Sequence, residues 1–208
     1  MTMRIRVLFD KTEPMRFTSH LDLYRAWERL LRRAGVKLVF SQGYNPRPKL
    51  QLAAPLALGI TSQAEIIDFW ISNGPQDLDQ LASMLVAAQP PGIEIQSVSL
   101  VDPADPPLQK RVVAAGYQVT LLDEQPHIAQ EIAILLDSEQ IIRERRGKTY
   151  DLRPLIKELS VELDPPHRLQ MLLQASEGST GRPEEVLLSL GVAPEKSRIQ
   201  RTQIIFNP

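Results

Sequence analysis

A helix with one apolar face, stopped by a glycine and followed by two closely spaced prolines, constrains this chain more than any other stretch. Ser19 is a helix-start residue, with Asp22 three positions on as a short-armed capping box. Gly35 supplies the left-handed stop. At 100° per residue, Leu23, Tyr24, Trp27, Leu30, Leu31 and Ala34 share one face. Arg25, Arg29, Arg32 and Arg33 fall on the other. A short run of β-formers follows over 36–40. Residues 41–49, SQGYNPRPK, then break every regular pattern. Pro46 and Pro48 remove backbone donors and push Asn45 and Arg47 into extended conformations. The segment reads as a stiff loop presenting Tyr44, Arg47 and Lys49.

The elements around this helix repeat in order. Residues 3–9 alternate as a half-buried strand with Arg4 and Arg6 outward. A short strand at 50–53, a strand at 64–71, a helix at 78–88 ended by Pro90-Pro91, and a strand at 93–101 complete a β-α-β-β-α-β series. That order is the ferredoxin-like split βαβ pattern. DPADPP, from position 102, reads as an extended linker. After it the order returns: a strand over 111–122, a helix over 127–136, a strand over 140–145 paired with 148–152 through Arg146-Gly147, a strand over 167–173, a helix over 183–190 and a last strand over 198–206. The fold expected is α+β: two tandem ferredoxin-like modules, antiparallel sheets with helices on one face. The boundaries expected are 1–101, a linker at 102–110, and 111–208.

Charge is unevenly distributed. Residues 1–50 hold 11 Lys/Arg against 4 Asp/Glu, whereas residues 51–138 hold 2 against 11. The basic first quarter is the end of the chain suited to a polyanion. The chain has no cysteine, which excludes disulfides, a thiolate nucleophile and a cysteine-ligated iron–sulfur cluster. His20, His127 and His167 lie too far apart to show metal-ligand spacing, so no metal and no cofactor is expected. There is no run of about 18 apolar residues, and the opening MTMRIRVLF lacks the continuous apolar stretch of a signal peptide. A cytoplasmic protein without a membrane partner is expected.

SHLD at 19–22, the arginines leading to Arg32-Arg33-Ala34-Gly35, SQGYNPRPK and Pro55-Leu56-Ala57-Leu58-Gly59 together resemble the radical-SAM-linked proteins. This domain-of-unknown-function family is encoded beside, or fused to, a radical SAM protein. The resemblance implies a radical SAM partner that performs chemistry this cysteine-free chain cannot. At the level of fold, the chain is also similar to the tandem ferredoxin-like CRISPR repeat-processing endoribonucleases. Many of those use a histidine near the first helix as general acid or base, which makes His20 the single catalytic candidate here.

The residues favour binding over catalysis. Arginines at i, i+4 and i+7 suit a phosphate backbone. The bland alternative is a solvated face of local ion pairs, such as Glu28 with Arg32. Arg4, Arg6, Arg16 and Lys37 add to the same basic segment. An exposed Tyr44 between cations would stack on an unpaired base. Arg143, Arg145, Arg146 and Lys148 form a second basic patch, and Pro183-Glu184-Glu185 reads as helix capping. The expected function is a non-catalytic accessory protein binding tRNA or rRNA. Arg25, Arg29, Arg32, Arg33, Arg47 and Lys49 would lie on phosphates. A metal-independent endoribonuclease using His20 and a pure protein–protein adaptor for the radical SAM partner are the alternatives.

Overall fold

The computed structural model describes residues 2–72, 77–102, 104–145, 147–162, 164 and 166–207. The chain divides into two compact units, residues 1–111 and 112–208.

In the first unit β1 (Thr2–Lys11) leads through a single 3₁₀ turn to α1 (His20–Arg33). β2 (Leu50–Leu52), β3 (Ile60–Ser72), α2 (Leu78–Ala88), β4 (Ile93–Val101) and the one-turn α3 (Leu108–Arg111) follow. The strand order is β2-β3-β1-β4, every pair antiparallel. Ile5, Val7 and Phe9 of β1 are fully buried and pack with Leu23, Trp27, Leu30 and Leu31 of α1 and Leu81 and Leu85 of α2. The Phe9 and Trp27 rings meet edge to face, their centroids 4.8 Å apart, the geometry aromatic quadrupoles favour.

The other face of β1 differs from the outward basic face expected. Arg4 is only 2% exposed and Arg6 is half-buried. Both guanidinium groups donate to the fully buried Asp68 carboxylate, Arg4 through Nε at 2.9 Å and Arg6 through Nε at 2.8 Å and Nη2 at 2.9 Å. Arg4 also donates to the carbonyls of Asp105 (2.7 Å) and Pro106 (3.1 Å) and lies 5.1 Å from the Trp70 ring centroid. The reason is topological. β1 lies between β3 and β4, so Arg6 sits directly opposite Asp68 and Arg4 opposite Trp70. The segment after Asp102 then covers the pair: Leu108 is fully buried and its N–H donates to the Gln51 side chain. The proline-rich stretch is thus tied to the first unit and turns helical at Leu108. Pro103 within it lies outside the described residues.

The second unit contains β5 (Val112–Leu121), α4 (Ile128–Asp137), β6 (Ile142–Arg145), β7 (Lys148–Asp151), β8 (Ile156–Glu162), β9 (Arg168–Ser176), β10 (Ser179–Thr180), α5 (Pro183–Ser189) and β11 (Ser197–Phe206). Its order is β8-β9-β5-β11, again antiparallel throughout, with β10 also on β9. Position for position this repeats the first unit: second strand, third, first, fourth. The fold is two ferredoxin-like α+β modules. The second strand of the second module, however, is β8 and not the segment 140–145. β6 and β7 form a separate hairpin inserted before β8. β8 escapes a periodicity reading because a register shift between Ile156 and Glu158 puts its buried residues, Ile156 and Leu159, three apart instead of two.

Candidate nucleic-acid interface

Helix α1 forms as its residues require. Ser19 has extended backbone and its Oγ accepts the Asp22 N–H at 3.1 Å. Asp22 does not reach back to the Ser19 backbone as a glutamate would. Its Oδ2 instead accepts the Ser19 hydroxyl at 2.7 Å. That bond, with Arg25 and Arg29 nearby, holds the Asp22 carboxyl below its ordinary value. At the other end Gly35 takes φ +71°, a conformation other residues resist, and the chain turns toward the sheet.

Residues 36–40 run beside the end of β3 without forming a regular ladder. Leu38 bridges Ile71 and Phe40 bridges Pro48. Val39 N–H donates to the Trp70 carbonyl at 2.8 Å and Lys49 N–H to the Val39 carbonyl at 2.8 Å. The chain reverses between them, closed by Ser41 N–H to the Arg47 carbonyl (2.8 Å) and Arg47 N–H to Ser41 Oγ (3.0 Å). The Lys49–Val39 and Ser41–Arg47 backbone bonds flank Phe40 and Pro48, which face each other as a non-hydrogen-bonded pair, so the donor that Pro48 lacks is not needed there. The loop is fastened to the helix by Tyr24, whose hydroxyl donates to the Pro48 carbonyl at 2.9 Å. Burial, reinforced by Glu28, raises the Tyr24 phenol above its ordinary value, with Arg47 opposing. Those charges place Arg47 and Glu28 around one phenol. Sequence reasoning put Tyr24 on the apolar face but not as the pin that sets loop against helix.

The expected contact residues fall into distinct groups. Tyr44 is 99% exposed at the loop tip. Arg47 and Lys49 on the loop and Arg29 on the helix are exposed. Arg25 and Arg32 are exposed too but engage Asp22 (3.3 Å) and Glu28 (2.9 Å). Such exposed pairs hold weakly. Arg33 is different. Its Nε (3.1 Å) and Nη2 (2.6 Å) both donate to the Ala88 carbonyl at the end of α2, so it serves as a C-terminal cap for that helix. Arg16 is likewise committed, donating to the Gly59 carbonyl at 2.7 Å. Arg4, Arg6 and Arg16 therefore do not extend the basic surface, contrary to the sequence expectation. His20 is exposed at the first position of α1.

In the second unit, Arg143 pairs with Glu185 at 2.9 Å. Arg145 and Lys148 reach a separate cleft, and Arg146 lies outside the described residues. Among the described residues no helix is long and apolar enough to cross a membrane.

The family described as "Uncharacterized protein conserved in bacteria (DUF2344)" matches residues 4–183. No curated protein matches the sequence. Among solved structures, a chain of a Cbf5-Nop10-Gar1 complex is similar, with TM-score 0.50 and 11% identity. The similarity covers 97% of this chain and 49% of that one, so this chain spans about half its length. An unknown protein from Galdieria sulphuraria matches at TM-score 0.30 and 15% identity, covering 100% of both chains. The acetolactate synthase small subunit from Thermotoga maritima matches at 0.27 and 12%, covering 100% of this chain and 96% of that one. At such identities the first likeness concerns the fold alone.

Proposed function

We propose that this chain, which belongs to the DUF2344 family of uncharacterized bacterial proteins, is a non-catalytic RNA-binding accessory protein. Its RNA-facing surface is the outer side of α1 together with the loop 41–49. The observation that carries this reading is the placement of Tyr44. A tyrosine exposed over 99% of its surface gains nothing for the fold. It is held on a loop pinned to a basic helix by the Tyr24–Pro48 hydrogen bond, with Arg47 and Lys49 on the same loop. A ring presented beside phosphate-binding cations is the arrangement that single-stranded segments of a structured RNA recognise, by stacking plus backbone neutralisation. Arg29, Arg47 and Lys49 supply the standing charge. Arg25 and Arg32 join when RNA displaces their carboxylate partners.

The resemblance of the SHLD, arginine-helix and SQGYNPRPK motifs to radical-SAM-linked proteins supports a radical SAM enzyme as the companion that modifies the bound RNA. Residues able to meet such a protein partner are present: Phe17 (75% exposed), Leu21 (53%) and Leu58 (59%) are large apolar groups left exposed in the first unit. This is also what the adaptor reading would use.

Binding of tRNA and of an unstructured RNA, measured across a salt series for wild type and Arg29→Glu/Lys49→Glu, tests the proposal. Wild-type affinity should fall steeply with salt. The slope should drop by about one for each phosphate contact removed. Tyr44→Ala should weaken binding about tenfold without changing the slope, as loss of a stacked base predicts. If the charge-reversed protein binds as the wild type does, the RNA reading is wrong and the surface belongs to a protein partner.

A further inference from the structure

The second unit carries a cleft of about 620 Å³ walled by the β6–β7 hairpin, the Pro154-Leu155 turn and the β9–β10 turn. Three cations line it: Arg145 at the end of β6, Lys148 at the start of β7, and Arg182 just before α5. Arg145 and Lys148 face each other across one hairpin, and Arg182 joins them from a distant stretch of chain. Among the described residues none of the three side chains forms an ion pair or hydrogen bond. Arg143, their neighbour on β6, already has its partner in Glu185.

The one carboxylate in the lining is Asp151. Its Oδ1 is occupied by two backbone donors, Ile141 N–H at 2.8 Å and Arg153 N–H at 3.0 Å. Three cations face one carboxylate in the lining, and even with Glu184 acting on Arg182 from outside it, positive charge is in excess. The crowding has a consequence: burial first, and the charge of Arg145 second, lower the Arg182 guanidinium from its ordinary value, with Glu184 opposing. Like charges brought together at the cost of desolvation are what a fold avoids unless an anion offsets them. The remaining lining suits such an anion. The Ser179 hydroxyl accepts from Gln174 (3.0 Å) and still has its own proton to donate. Burial, with Glu185 adding to it, raises the Tyr150 phenol, which keeps its proton as a donor.

We propose that this cleft is a binding site for a single dianionic phosphate group, free or carried as a monoester by a small molecule. The grouping distinguishes it from the surface of the first unit. Cations strung along a helix follow a polymer, whereas three cations lining one pocket suit one compact anion. The guanidinium groups of Arg145 and Arg182 would hold phosphate oxygens bidentately and Lys148 would act as a point charge. The Tyr150 ring forms a wall for whatever the phosphate is attached to. The volume is within the usual range for small-molecule sites. Arg182 lies more than thirty residues from the other two cations in sequence, so no local motif announces the site.

The test uses the full chain and four probes: inorganic phosphate, adenosine 5′-monophosphate, adenosine, and a short single-stranded RNA with hydroxyl ends. Binding is read by calorimetry and by thermal shift. The monophosphate should bind and raise the melting temperature, and adenosine should not. Arg182→Met should weaken monophosphate binding about tenfold or more. The same variant should melt, without ligand, at the wild-type temperature or above it, because the crowding is relieved. Lys148→Met, at an exposed position, carries the test if Arg182→Met fails to fold. Arg29→Glu/Lys49→Glu should bind the monophosphate as wild type does, which separates this site from the RNA surface. Equal affinity for inorganic phosphate and the monophosphate assigns the free ion, and preference for the monophosphate assigns an ester. Four results would each overturn the proposal: no binding of either phosphate at millimolar concentration, adenosine binding as well as its monophosphate, full affinity in both cation variants, or stronger binding of the hydroxyl-ended RNA in competition.

Discussion

Strand β1 and helix α1 contain most of the cations of the first quarter, and the two elements use them in opposite ways. On β1, Arg4 and Lys11 are buried and Arg6 is half-buried. Arg4 and Arg6 close on Asp68, and Lys11 Nζ donates to the Arg16 and Ile60 carbonyls at 3.2 Å each. On α1, Arg25, Arg29 and Arg32 are exposed, and what they touch is exposed or partly so. The difference lies in what surrounds each element. A central strand has neighbours on both sides that can supply acceptors at a fixed register, so a guanidinium there can be desolvated and still satisfied. On the solvent side of a helix the nearest partners are residues three or four positions along it, as for Arg25 with Asp22 and Arg32 with Glu28. Arginines on such a helix stay available, and the same residue type is framework in one place and surface in the other.

Asp68→Ala should divide the two populations most sharply. It leaves two guanidinium groups in the sheet without their carboxylate, and breaking a buried pair from one side costs about 3–5 kcal/mol. Urea denaturation followed by tryptophan fluorescence should show the loss. Both tryptophans, Trp27 and Trp70, lie in the first unit, so the signal reports that unit. Stability equal to wild type would mean that the arginines of β1 rearrange to water and are not structural.

Arg33→Met crosses the line between the groups. By sequence it belongs to the helical arginines, but it is committed to the Ala88 carbonyl. A loss of about 1 kcal/mol is expected, below the usual range for a charged hydrogen bond because the side chain is largely exposed. RNA affinity should be unchanged at low salt. Weaker binding with full stability would return Arg33 to the phosphate-binding set.

Most of the fold was legible because it rests on local signals. The helices at α1 and α2 and the strands β1, β3 and β4 followed from apolar period, caps and prolines. What escaped depended on long-range partners. The fate of Arg4 is decided by Asp68 and by carbonyls at 105 and 106, about a hundred residues away. The bulge in β8 hides its period, so the alternation at 140–145 reads as the second strand of the second module instead. Arg182 gave no local sign of a cleft. The exposed position of Tyr44 was legible in its proline-stiffened loop, but the Tyr24 hydroxyl that pins the loop to the helix was not.

Ser19→Ala tests whether α1 is held firmly enough to present its arginines in register. Loss of the cap should cost about 1 kcal/mol. It should also release Asp22, whose carboxyl the Ser19 hydroxyl holds low. A depressed carboxyl contributes stability above its unfolded value and loses it as pH falls through the folded one. In the variant, Asp22 should therefore titrate at higher pH, which NMR of its side-chain carboxyl reads directly. An unmoved titration would assign the shift to Arg25 and Arg29 instead.

The smallest effect on stability belongs to Arg32→Gln. Its pair with Glu28 spans 2.9 Å but is largely solvated, and such i,i+4 pairs contribute about 0.3–0.5 kcal/mol. The melting temperature should barely move. RNA binding should respond more, with a salt slope shallower by about one if Arg32 exchanges Glu28 for a phosphate. The same substitution would then register in binding and not in folding, the reverse of Asp68→Ala. If instead stability falls and the slope does not, Arg32 belongs with the arginines of β1, and the available surface contracts to Arg25, Arg29, Arg47 and Lys49.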